Sequence, residues 1–177
     1  MSQISDGLLE LVQSAIGLEL NGEHFYRRAA EATEHPRGKL MFLRLAEEER
    51  GHVVEIGALF AGLIGESEWE RLSAEELANP RKSSVIDQLE ATIVARGHGV
   101  VADDTQALRL AMELERRATL FFEELKKSTD DPVKLKMIHA LAEEERYHYD
   151  VLQAQLDSVL NVGIWLDAPE FRLDGKY

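Results

Sequence analysis

Two pairs, Glu49-x-x-His52 and Glu145-x-x-His148, each set a carboxylate and an imidazole three residues apart. On a helix, positions i and i+3 share a face, so each pair can aim an oxygen and a nitrogen at one point. Such donors suit a divalent metal ion. The spacing alone carries little, because Glu fills 23 of the 177 positions. Its setting carries more. Leu45-Ala46-Glu47-Glu48-Glu49-Arg50-Gly51-His52 returns as Leu141-Ala142-Glu143-Glu144-Glu145-Arg146-Tyr147-His148, identical at seven of eight positions and shifted by 96. A repeated segment marks a duplicated structural unit, so the chain carries one half-site twice. The same shift pairs Glu19 with Glu115, Leu18 with Leu114, Phe25 with Phe121, Pro36 with Pro132 and Met41 with Met137, and sets Tyr26 against Phe122. Each half therefore holds a single Glu followed thirty residues later by Glu-x-x-His.

Helices must bring these groups together. Apolar residues at Leu8, Leu11, Val12, Ala15, Leu18, Phe25 and Ala29 predict a helix over about 6–34, with Ser5 and Asp6 as caps. The His35-Pro36 step ends it, since the residue before proline avoids the α region. Pro36 suits the first turn of a second helix, which carries Phe42, Leu45, His52, Ile56 and Leu59 and ends near Gly62 or Gly65. A third helix starts at Asp103 or Asp104 and runs to about Lys127. Asp131 caps a fourth, with Pro132 first in it, that bears Ile138, Leu141, His148, Leu152 and Leu156 and ends near 161–163. In each hairpin the two Glu lie fifteen residues either side of the turn. At 1.5 Å per residue all four carboxylates reach one height, about 22 Å from the hairpin end.

The segment over about 65–102 is far longer than a tight turn needs. It predicts a crossover with helices of its own near 74–78 and 84–96, returning the chain so that the second and third helices run parallel. The tail, 162–177, holds Trp165, Pro169, Phe171 and Gly175 and reads as irregular, pinned by aromatics against the bundle end.

Composition sets the bounds. The whole of 1–177 is one domain of ordinary size, with 45% apolar and 30% charged residues and no alternating strand-like runs. A formal charge of −13 speaks against nucleic acid and anionic membrane surfaces as partners. The absence of cysteine excludes Cys-ligated zinc, iron–sulfur clusters and thiol chemistry within these residues. No run approaches a membrane span of ~18 apolar residues, and residues 1–20 lack the pattern of a signal peptide, which points to the cytoplasm.

Two helical hairpins joined by a long crossover, with an irregular C-terminal tail, define an all-α, ferritin-like four-helix bundle. In ferritin-like di-iron proteins the ligands are one Glu from each of two helices and Glu-x-x-His from each of the other two. Glu19, Glu115, Glu49, His52, Glu145 and His148 fill all six positions. Four buried carboxylates are costly without counter-charge, and two divalent cations balance them. Iron fits this donor set, with manganese or zinc as substitutes.

The four-helix stretch resembles the rubrerythrin-like branch of that superfamily, in which the first ligand is followed seven residues on by Tyr, as Glu19 is by Tyr26. The resemblance implies two irons bridged by Glu49 and Glu145, with His52 and His148 as terminal ligands. It implies an oxidoreductase that reduces peroxide or O₂ with electrons from an external donor, a role in oxidative stress, and a homodimer. Two departures stand out. No cysteine is present to build an electron-delivering rubredoxin-like module, and the family's second carboxylate on the third bundle helix is Ala118 here. Glu23, one turn after Glu19, is a candidate extra carboxylate, and Tyr26 a candidate hydrogen-bond partner for a ligand. Glu47, Glu48, Glu143 and Glu144 read as a solvated face. The alternative function is a non-enzymatic iron-binding protein.

Overall fold

Proline opens two of the helices. Pro36 and Pro132 each occupy a first turn, where a missing N–H costs nothing. His35 Nδ1 accepts from the Arg37 N–H at 3.3 Å, and Asp131 Oδ1 accepts from Val133 N at 2.8 Å and Lys134 N at 3.3 Å. The computed structural model describes residues 6–79, 91 and 104–166. Among them the helices are α1 (Asp6–Ala32), α2 (Pro36–Ile64), α3 (Glu66–Ala78), α4 (Asp104–Leu125) and α5 (Pro132–Val162), with a 3₁₀ turn at Lys126–Ser128. No strand occurs among the described residues, and none of the helices is long and apolar enough to cross a membrane.

The four long helices form a ferritin-like bundle whose interior is layered. One apolar layer gathers Phe25, Phe42, Leu45, Leu108 and Leu152; the other gathers Val12, Ile16, Ile56, Phe60, Phe122 and Leu141. Along α2 and α4 the chain passes from the first layer to the second, and along α1 and α5 from the second to the first. So α2 and α4 run parallel, as a long crossover between them requires. On every helix the acidic position falls between the layers: Glu19, Glu49, Glu115 and Glu145.

The crossover begins differently from the sequence expectation. Its first helix starts at Glu66, not near Ala74, because Gly65 alone makes the turn at φ 89°, a conformation that favours glycine. Trp69 then lies over Gly57, where a Cβ would approach the ring to 2.9 Å. The second expected crossover helix, 84–96, falls outside the described residues apart from Ala91, as do Ser5, Asp103 and the tail beyond 166.

Trp165 is buried at the bundle end. It stacks on His35 at 6.1 Å, meets Phe42 edge-on at 5.9 Å, and donates from Nε1 to Asp104 Oδ2 at 3.2 Å. Its ring rests on Gly38, where an added Cβ would lie 2.7 Å from it and 2.8 Å from Thr33 Cγ2. Gly38→Ala is expected to destabilise the fold by about 1–3 kcal/mol through overpacking. A melting curve checks this, with a fall of about 2–4 °C per kcal/mol in a domain of this size.

Candidate metal centre

Midway along the bundle, six polar side chains sit where apolar ones would be expected. Glu19, Glu49, His52, Glu115, Glu145 and His148 are each at most 3% exposed. They form two overlapping groups, Glu19/Glu49/His52/Glu145 and Glu49/Glu115/Glu145/His148, in each of which one donor atom per residue lies within 4.8 Å of the others. Glu49 and Glu145 belong to both groups. The pairing reflects the duplication, since each half contributes one single Glu and one Glu-x-x-His.

Both imidazoles turn Nδ1 inward. His52 Nδ1 lies 3.1 Å from Glu19 Oε2, 3.0 Å from Glu145 Oε1 and 3.7 Å from Glu49 Oε2. His148 Nδ1 lies 3.3 Å from Glu49 Oε1 and 3.7 Å from both Glu115 Oε2 and Glu145 Oε2. Outward, each ring meets a carboxylate of the opposite hairpin. His52 Nε2 donates to Glu144 Oε2 at 3.0 Å, and His148 Nε2 to Glu48 Oε2 at 3.1 Å. An Nε2–H held in this way leaves the Nδ1 lone pair for a metal and fixes the ring's orientation.

Glu48 and Glu144, partly exposed, are therefore more than the solvated face expected of them. Around the helix they do point away from Glu49 and Glu145. Each nevertheless stands four residues before the His of its own motif, on that same side of the helix. Each then reaches the His of the facing helix. Their repetition in the duplicated phrase was the available signal. Glu47 and Glu143 remain exposed.

Tyr26, fully buried, donates its hydroxyl to Glu115 Oε1. Glu23 is not drawn into the cluster; it pairs with Arg27 at 2.8 Å and faces Arg50 at 3.7 Å. Ala118 stands one turn beyond Glu115 and borders a small cavity against Glu49, Glu115 and Glu145. Gly22 lets Glu49 in, since a Cβ there would lie 3.0 Å from the carboxylate.

The electrostatics are those of anions crowded together. Burial raises the Glu19 carboxyl well above its ordinary range; Glu145 and Glu49 add to this, and His52 only partly offsets it. Burial likewise raises Glu115, helped by Glu49 and Glu145. Burial opposes ionisation of Glu145 too, but the nearby His148, His52 and Glu115 outweigh it and hold that carboxyl low. Burial disfavours charge on both imidazoles, yet the surrounding carboxylates win and raise them. The rings are stacked at 5.5 Å, so without other cations two imidazoliums would face one another.

A metal ion fits these residues. Glu19 Oε1, Glu49 Oε1, both Glu145 oxygens and His148 Nδ1 are buried without a hydrogen-bond partner. Each such atom costs about 1–3 kcal/mol unless something satisfies it. The unsatisfied atoms are inward-facing donors of hard oxygen and imidazole nitrogen, the set preferred by divalent iron, manganese or zinc.

A helical bundle with this buried carboxylate–histidine layer belongs to the ferritin-like class. The sequence pattern of the Rubrerythrin family matches residues 10–156, and the chain belongs to that family. Among solved structures, a hypothetical protein from Pyrococcus furiosus shares the fold, with a TM-score of 0.58 and 24% identity over 91% of this chain and 94% of that one. No curated protein matches the chain.

Proposed function

We propose that the centre holds two iron ions and that the protein is an oxidoreductase, reducing peroxide or O₂ with electrons from a separate donor. The observation that carries this reading is the pair of four-donor groups sharing Glu49 and Glu145, which suits two adjacent cations bridged by carboxylates. Each ion would have one terminal Glu and one His: Glu19 with His52, and Glu115 with His148. A pair of irons supplies two-electron redox chemistry at one place.

The chain's own groups support that chemistry. Four carboxylates balance two divalent ions, so the pair can be buried. The apolar layers on either side, built from Phe42, Leu45, Ile56 and Phe122 among others, keep bulk water from the donors. Glu48 and Glu144 hold the imidazoles in place, and Arg44 in turn holds Glu48 at 3.0 Å. Tyr26 keeps its proton, because burial and the Glu115 carboxylate raise its pKa, and stands as a donor beside the centre. The electrons would come from an external donor; these 177 residues hold no cysteine for a thiolate-ligated iron centre.

Glu48→Gln and Glu144→Gln test the support of the imidazoles. Each is expected to weaken metal binding about 10- to 100-fold while leaving the helical content intact, as measured by titration and circular dichroism. The function itself is tested by mixing anaerobically loaded Fe(II) protein with peroxide, and separately with O₂, in the presence of excess reductant. Repeated turnover is expected. A single stoichiometric oxidation without turnover would replace the enzyme reading with iron handling.

A further inference from the structure

The two halves of the centre match in their ligands but not in what surrounds them. Tyr26 of the first hairpin bonds Glu115 of the second. The position 96 residues on is Phe122, which has no hydroxyl to return to Glu19. Glu19 Oε1 is accordingly buried without a hydrogen-bond partner, whereas Glu115 Oε1 is engaged. Glu19 Oε2 meets His52 Nδ1, itself a metal donor, so a bound ion would free both Glu19 oxygens, whereas the Tyr26 hydroxyl would stay on Glu115 Oε1. An ion on the Glu115 side would then receive one free donor fewer from the protein.

The routes to the centre are also unequal. On the α2/α5 side the stacked rings of His52 and His148 lie in the way, and both outer nitrogens are bonded to Glu144 and Glu48. On the α1/α4 side the residues one turn past Glu19 and Glu115 are Gly22 and Ala118, the two smallest side chains available. Between them is a cavity of about 20 Å³, bounded also by Leu18 and Leu114 and reaching Glu49, Glu115 and Glu145 but not Glu19. That is room for one water-sized molecule, for which about 10–15 Å³ suffices. Leu18 and Leu114 are themselves only partly buried, so the cavity has an outer side.

We propose that small ligands of the paired ions, slender molecules of two or three heavy atoms whose leading atom the cavity admits, reach the centre between α1 and α4 past Leu18, Gly22, Leu114 and Ala118, and bind on its Glu115 side. The apolar rim passes neutral molecules readily. Three carboxylates line the floor, so an anion binds only once the cations are present. The proposal rests on the reading that the centre holds two metal ions, and it deepens that reading by assigning the place where the oxidant arrives.

The test uses azide and the ferric-loaded protein, following the azide-to-iron charge-transfer absorption by stopped flow, with iron content measured on the same samples. Ala118→Leu is expected to slow azide association about tenfold or more at unchanged iron content, the scale of added methylenes in a tight pocket. Leu114→Ala, which removes bulk and does not strain the fold as Ala118→Leu can, is expected to speed it. Tyr26→Phe releases the second oxygen of Glu115 to compete for the ion, and is expected to weaken azide about fivefold, the worth of one hydrogen bond. Association rates unchanged in Leu114→Ala and in a folded, loaded Ala118→Leu overturn the route. Azide affinity unchanged in Tyr26→Phe overturns the assignment to the Glu115 side. Failure of the parent protein to take up iron overturns the metal reading and this proposal with it. Azide binding by this route without peroxide turnover supports the proposal and removes only the oxidoreductase reading.

Discussion

Adding Fe(II) or Mn(II) to protein stripped of metal raises its melting temperature by about 10 °C, and a chelator reverses the gain. The expectation follows from what the fold does with its charges. Four carboxylates lie together in a layer closed above and below by apolar side chains. Without metal, only protons can neutralise them, which is why Glu19 and Glu115 are pushed toward the protonated form by burial and by their neighbours. Several buried donor atoms still find no partner. The unfolded chain suffers none of this, since its carboxylates are hydrated and apart. An ion that binds the folded state alone stabilises it by about 4 kcal/mol at a thousand times its dissociation constant. At about 2–4 °C per kcal/mol for a domain of this length, a single ion gives the stated shift, and a second adds to it. A melting curve indifferent to either ion would remove the metal centre and leave a buried acidic layer with no account. Mg(II) serves as a control, because it keeps its waters and prefers all-oxygen shells over imidazole.

How far the chain announced this arrangement depends on the length scale. Pro36, Asp131 and Pro132 act within a turn of themselves, and they placed the starts of α2 and α5. The repeat at a shift of 96 pointed to two like hairpins, and the spacing of Glu19, Glu49, Glu115 and Glu145 about their turns put four carboxylates at one height. Those are properties of single helices and of the duplication. What depends on the contact between hairpins was harder to see. Glu48 and Glu144 point away from the ligands beside them in sequence, but their partners are His148 and His52 on the opposite helix. Tyr26 and Phe122 were visibly mismatched, yet only the crossing of α1 and α4 shows that the hydroxyl serves Glu115, leaving Glu19 without a counterpart. Likewise Gly65 reads as a helix stop, and its φ of 89° is what starts α3 at once. Trp165 lies beyond the repeat altogether, and its seat on Gly38 and His35 is set by the bundle end.

Replacing one shared carboxylate is expected to empty the whole centre, while replacing one unshared carboxylate empties half of it. Glu49 and Glu145 are common to both donor groups; Glu19 and Glu115 each belong to one. Glu145→Ala takes a donor from both positions at once and removes the negative charge that lets two cations sit side by side. Glu19→Ala leaves Glu49, Glu115, Glu145 and His148 complete. Metal analysis after saturation and desalting should therefore read about two ions per chain for the parent, about one for Glu19→Ala or Glu115→Ala, and near zero for Glu49→Ala or Glu145→Ala, a two-metal site needing its bridging groups. The apo forms argue against a trivial cause. Losing one of four crowded anions relieves repulsion among the rest. The Glu145→Ala protein should then stay folded without metal, and its melting temperature should no longer respond to iron. Two ions retained by Glu145→Ala would mean that the positions are independent, and the shared-carboxylate geometry would have no chemical meaning. A single ion in the parent, lost from every variant alike, would point to a mononuclear site instead.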